Sequence, residues 1–113
     1  MQRDRRGRSG HKDLQVCRQV FDALTYALAE LDDPMIEELA LASVTPAPNA
    51  ARVLVTLVPT RGGLDPAAAL ERLRGAMPDL REEVAAELTR KRVPELVFRI
   101  DHLADHLADD VTV

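Results

Sequence analysis

The sequence predicts an α+β fold: a three-stranded sheet packed on helices, in the order helix, strand, strand, helix, kink, helix, strand. Three observations predict it. Apolar residues recur at three- and four-residue steps over 14–31, 67–73 and 80–88, the spacing of one helix face. They alternate over 51–58 and 93–100, the period of a half-buried strand. At 113 residues, 46% hydrophobic and 30% charged, the chain suits one domain with a modest core, not a disordered polymer.

That core must be aliphatic, because aromatics are 3% of the residues and Trp is missing. The one cysteine, Cys17, excludes an internal disulfide framework and a paired-thiol metal site. No apolar run approaches the ~20 residues of a membrane-spanning helix. The basic N-terminal stretch has no apolar segment behind it, unlike a signal peptide. These features fit a soluble cytoplasmic protein. The net charge of −4 speaks mildly against nucleic acid. Its distribution matters more, since charge beyond about 8 Å is largely screened at physiological salt. Residues 1–12 carry Arg3, Arg5, Arg6, Arg8 and Lys12 against Asp4, and residues 101–113 carry four Asp and no cation.

Residues 1–11 are Arg- and Gly-rich without periodicity and read as a basic flexible arm. From Lys12 the stripe Leu14, Cys17, Phe21, Leu24, Leu28 and Leu31 marks a helix. Asp32-Asp33-Pro34 ends it, because the residue before proline avoids the helical region. Leu39 to Thr45 is the first strand. Leu39 and Leu41 share a face and Val44 falls on the other, unless a bulge near Ala42-Ser43 returns it. Pro46-Ala47-Pro48-Asn49 reads as a turn. Ala51 to Val58 is the second strand, apolar on both faces, and pairs with the first as an antiparallel hairpin.

Asp65-Pro66 opens a helix with an N-cap and a first-turn proline. It is expected to stop at Gly75 or Ala76. A new helix is expected from about Pro78 to Arg90, since proline removes a hydrogen bond and clashes with the preceding turn. Arg90-Lys91-Arg92 closes the pattern, and Pro94 forbids its continuation. The last strand places Leu96, Phe98 and Ile100 on one face and Val97 and Arg99 on the other. Residues 102–113 form an acidic tail, leaving 12–101 as the folded domain.

This order is also that of the type II KH domain, an RNA-binding fold. Arg92-Val93-Pro94-Glu95-Leu96 with Phe98 and Asp101 resembles the R-x-P-E-L-x-F-x-x-D signature of ribosome-binding factor A. Asp33-Pro34, Val44 and Ala51-Arg52-Val53-Leu54-Val55-Thr56 add to the resemblance, which spans about residues 12–101. That family has an Ala-x-Gly kink between two helices. Here the kink falls on Ala76-Met77-Pro78, with Pro78 in place of glycine, and Arg81 matches a family arginine. The resemblance implies a monomeric, non-catalytic, cytoplasmic factor without cofactor or small-molecule substrate. It would bind the small ribosomal subunit and assist late assembly and processing of its RNA. The candidate RNA-binding residues are Arg74, Ala76, Arg81, Arg90, Lys91 and Arg92: Ala76, Arg81 and Arg92 match the family's motifs, and Arg90-Lys91-Arg92 form a basic patch where a helix end meets a strand.

Other readings are weaker. Arg90-Lys91-Arg92 also suits a helix C-terminus, where cations favour the macrodipole by about 0.3–1 kcal/mol. His102 and His106, four apart, could share a metal with Asp105 or Asp109, but a solvated acidic tail explains them as well. Cys17 sits on an apolar stripe and reads as a buried thiol. The alternative function is a small protein-interaction module of KH-like fold without RNA binding.

Overall fold

The computed structural model describes residues 2–88 and 92–102, and of residues 2–11 the backbone alone. The elements are α1 (Gln2–Glu30), α2 (Pro34–Glu37), β1 (Leu39–Pro46), β2 (Arg52–Pro59), α3 (Pro66–Glu87) and β3 (Glu95–Ile100). The strands form one mixed sheet in the order β1-β2-β3, with β1 antiparallel and β3 parallel to the central β2. One face of the sheet and the inner stripes of α1 and α3 enclose the core.

α1 begins at Gln2, not at Lys12. The stretch expected as a flexible arm is, in its backbone, the first part of this helix. Arg and Gln are good helix formers, and extending an existing helix is far easier than nucleating one. The buried stripe is also rotated from the expected one. Val16, Val20, Ala23 and Ala27 join Cys17 and Leu24 in the core, while Leu14 is 63% exposed. At its inner flank the Asp13 carboxylate accepts a hydrogen bond from the Ala50 N–H at 3.1 Å, tying α1 to the β1–β2 turn.

α1 stops before Asp33, whose carboxylate accepts from the amides of Met35 and Ile36 and caps the short α2. β1 then carries the expected bulge. Leu41 pairs with Leu57 and Ser43 with Thr56, so Ala42 is the extra residue. The shift brings Val44 to the core alongside Leu39 and Leu41. β2 is covered on both faces. Val53, Val55 and Leu57 are fully buried beneath the helices, and Thr56 is 2% exposed on the other side. There it lies between Ser43 of β1 and Arg99 of β3, whose guanidinium donates to its hydroxyl at 3.3 Å.

The expected division of the last helical region is wrong. α3 runs from Pro66 to Glu87 without interruption, and Pro78 lies inside it. An interior proline costs about 3 kcal/mol. Packing outweighs that cost here. Ala69, Leu73, Leu80 and Val84 are fully buried, and Ala76 and Met77 pack against the same core between them. These positions form one stripe through the proline, and breaking the helix would lift half of it off the sheet. The Asp65 carboxylate caps the start, accepting from the Ala67 amide at 3.1 Å. The helix ends at Glu87 rather than Arg90, with Leu88 extended and its N–H still bonded to the Val84 carbonyl at 3.0 Å.

Candidate nucleic-acid interface

An arginine already bound within the fold must give up that partner to hold a phosphate, and a free one need not. Four arginines are engaged. Arg52 pairs with Glu95 at 3.1 Å, Arg61 with Glu38 at 3.0 Å, Arg72 with Asp33 at 3.5 Å and Arg99 with Asp101 at 2.9 Å. Arg74, Arg81 and Arg92 are exposed and make no hydrogen bond or ion pair among the described residues. All three belong to the set the sequence singled out. Lys12 and Arg18 on α1 are free in the same sense. Lys12 belongs to the basic N-terminal charge visible in the sequence, whereas Arg18 lies off the apolar stripe of α1 and carries no such signal.

The continuous helix decides how Arg74 and Arg81 relate. Seven residues make nearly two turns, so both side chains leave α3 on one flank, about 10 Å apart along its axis. Two separate helices would have pointed them in unrelated directions. Pro78 lies between them and has no N–H for the carbonyl of Arg74 four residues back.

Ala76 is placed differently. It is two residues from Arg74, hence on the far side of the helix, and is half-buried against the core. Arg90 and Lys91 lie outside the described residues. Arg92, just past them, is exposed, and Pro94 beyond it is buried and anchors the entry to β3.

The opposite flank of α3 is acidic. Asp79, Glu82 and Glu83 line a groove with Glu30 of α1, over a floor of Ala27, Leu31 and Leu80. Asp79 and Glu83 stand two residues before and after Arg81 and so point away from it. Asp79, Glu82 and Glu83 thus give the α1 side of α3 a carboxylate cluster, with Arg72 nearly two turns before Asp79 paired to Asp33, while Arg74 and Arg81 share their own flank with Glu71.

Burial, and secondarily the nearby Asp13 carboxylate, push the Cys17 thiol up from its ordinary range, which makes it a poor nucleophile. His102 is exposed, while His106, Asp105 and Asp109 lie outside the described residues. Among the described residues no three His, Cys, Asp or Glu side chains converge on a possible metal site. No helix among them is long and apolar enough to cross a membrane.

Helix, bulged hairpin, long helix and parallel third strand define a KH-like α+β domain. The particular fold is that of ribosome-binding factor A. The crystal structure of ribosome-binding factor A from Thermus thermophilus matches with a TM-score of 0.67 and 23% identity, over 78% of this chain and 94% of that one. The solution structure of a candidate ribosome-binding factor A from Thermotoga maritima matches with a TM-score of 0.62 and 18% identity, over 81% and 85%. No protein-family model matches the chain, and no curated protein matches it significantly.

Proposed function

We propose that the protein is a non-catalytic ribosome maturation factor. It binds the small ribosomal subunit through RNA phosphates and assists late assembly and processing of that RNA. The single observation that carries the reading is the pair Arg74 and Arg81. They are two free guanidiniums on one flank of a continuous helix, in a fold shared with ribosome-binding factor A. Arg92, exposed ahead of β3, adds a third guanidinium free among the described residues, and Arg90 and Lys91 stand beside it in sequence. Guanidiniums suit this task because their planar donor forks match phosphate geometry. Ala76 contributes by setting how closely α3 lies on the core. The factor works in the cytoplasm as a monomer, needs no cofactor and turns over no small-molecule substrate.

A second reading, a protein-interaction module without RNA binding, draws on the net charge of −4 and the carboxylate groove between α1 and α3. Co-sedimentation with mature and immature small subunits at two salt concentrations separates the two. An RNA-phosphate mode predicts binding that falls steeply as salt rises. Binding that is insensitive to salt, or indifferent to the presence of subunits, supports the interaction module.

A further inference from the structure

The two edges of the sheet differ. β1 and β3 are the outer strands, and each leaves one row of backbone groups unpaired by a neighbouring strand, a template for a further strand. The β3 edge carries Glu95 and Arg99, charges of the kind that guard an edge. The first half of β1, Leu39 to Ala42, carries none.

Pairing with β2 fixes which groups of β1 point outward. The Thr60 amide donates to the Glu38 carbonyl at 2.8 Å, which makes these two a hydrogen-bonded antiparallel pair. Bonded and non-bonded pairs alternate, so Ala40 and Val58 are bonded and Leu39 opposes Pro59 at a non-bonded position. Pro59 has no N–H to offer there. The backbone groups of Leu39 and Leu41 therefore face the open edge, and no strand takes them up among the described residues.

A groove of about 270 Å³ lies beneath that edge. Leu39 and Leu41 line it with Leu28 of α1 and Ile36 of α2, and Glu37 stands at its rim. The surrounding chain is strongly acidic. Residues 30–38 hold Glu30, Asp32, Asp33, Glu37 and Glu38 and no cation. Arg72 and Arg61 offset Asp33 and Glu38, and Glu30 faces the groove between α1 and α3, so Glu37 is the carboxylate at this groove, and it has no cation among the described residues.

We infer that the β1 edge at residues 39–41 and the apolar groove below it form a docking site for an extended, basic segment of a partner protein. The segment adds a strand to the sheet, places an apolar side chain against Leu28 and Ile36, and sets Lys or Arg toward Glu37. Main-chain hydrogen bonds supply attraction, and alternate side chains supply selectivity. The bulge at Ala42 ends the pairable stretch, so the added strand is short. A nucleic acid does not suit this surface, because its phosphates would meet the Glu37 carboxylate and no free cation among the described residues lines the groove.

The test is a titration of the isotope-labelled full chain with a blocked heptapeptide of alternating Lys and Val, followed by amide shifts and hydrogen exchange. The Leu39 and Leu41 amides should exchange at least about tenfold more slowly with peptide bound, while Ala40, already bonded to β2, changes little. The same peptide with Glu in place of Lys should leave both unchanged. N-methylation of the alternate amides that face β1 should abolish binding, and methylation of the other set should not. Glu37→Lys, an exposed change that the fold tolerates, should weaken binding several-fold. Unchanged exchange at Leu39 and Leu41 under excess peptide would overturn the inference. So would equal binding of the acidic peptide, or protection of the same amides by an oligonucleotide of small-subunit RNA.

Discussion

Arg72 of α3 reaches Asp33 at the start of α2, with its Nη1 3.5 Å from Oδ2, while Oδ1 of the same carboxylate accepts the Met35 amide at 2.9 Å. One aspartate thus caps one helix and holds another. The two roles separate by substitution. Asp33→Asn keeps a good capping side chain and loses the ion pair, which with Arg72 half-exposed contributes about 0–1 kcal/mol. Asp33→Ala loses both and should cost about 1–2 kcal/mol, most of it from the cap. Denaturant unfolding of the two variants checks the order. An Asn variant as unstable as the Ala variant would mean that the ion pair dominates.

Gly75 sits in the interior of α3 and is exposed, and a Cβ added there meets nothing within 4 Å. Glycine in a helix interior is less favourable than alanine by roughly 0.5–1 kcal/mol. Gly75→Ala should therefore stabilise the protein by that amount and raise Tm by several degrees. Calorimetry checks it. An unchanged or lower Tm would contradict a regular helix through Gly75 and Pro78.

The Cys17 thiol is raised by burial first and by Asp13 second. A group with a raised folded pKa binds its proton more tightly in the native state. Its stabilising contribution is full below the unfolded pKa, about 8.5 for a free thiol, and is lost as pH rises through the higher folded value. Stability of the protein should thus fall above about pH 8.5, and Cys17→Ala should remove that part of the decline. Alkylation of Cys17 in the native protein should be slow and should track unfolding. Fast labelling of folded protein at neutral pH would place the thiol at the surface.

Much of this was legible in the sequence, and the failures have physical causes. The bulge at Ala42 was legible because Leu39 and Leu41 agree in parity and Val44 does not. The cap at Asp65 was legible because proline follows it, whereas Asp33-Pro34 read only as the end of α1, and the one-turn α2 that Asp33 caps is too short to leave an apolar stripe. Pro78 misled because its local cost was weighed against Gly75 and Ala76 alone. The apolar steps from Ala69 through Leu73, Met77 and Leu80 to Val84 keep helical spacing across it, and that long-range pattern wins. In α1, counting large residues drew Leu14 into the core and missed Ala23 and Ala27, which fit beneath the helix because they are small. For the candidate site, residue type pointed to Arg74, Arg81 and Arg92. That Arg52, Arg61, Arg72 and Arg99 are engaged depends on contacts with residues brought together by the fold or, for Arg99, on which way a strand side chain turns.

Binding through the arginine flank of α3 is the central claim, and the salt dependence of small-subunit binding by Arg74→Ala/Arg81→Ala tests it most directly. Neither side chain has a partner among the described residues, so the double variant should fold and melt like the parent. Each lost phosphate contact should lower the slope of log K against log salt by about 0.7–0.9, and two contacts by about 1.4–1.8, with weaker binding at low salt. A folded double variant that binds with the parental affinity and slope would contradict the account.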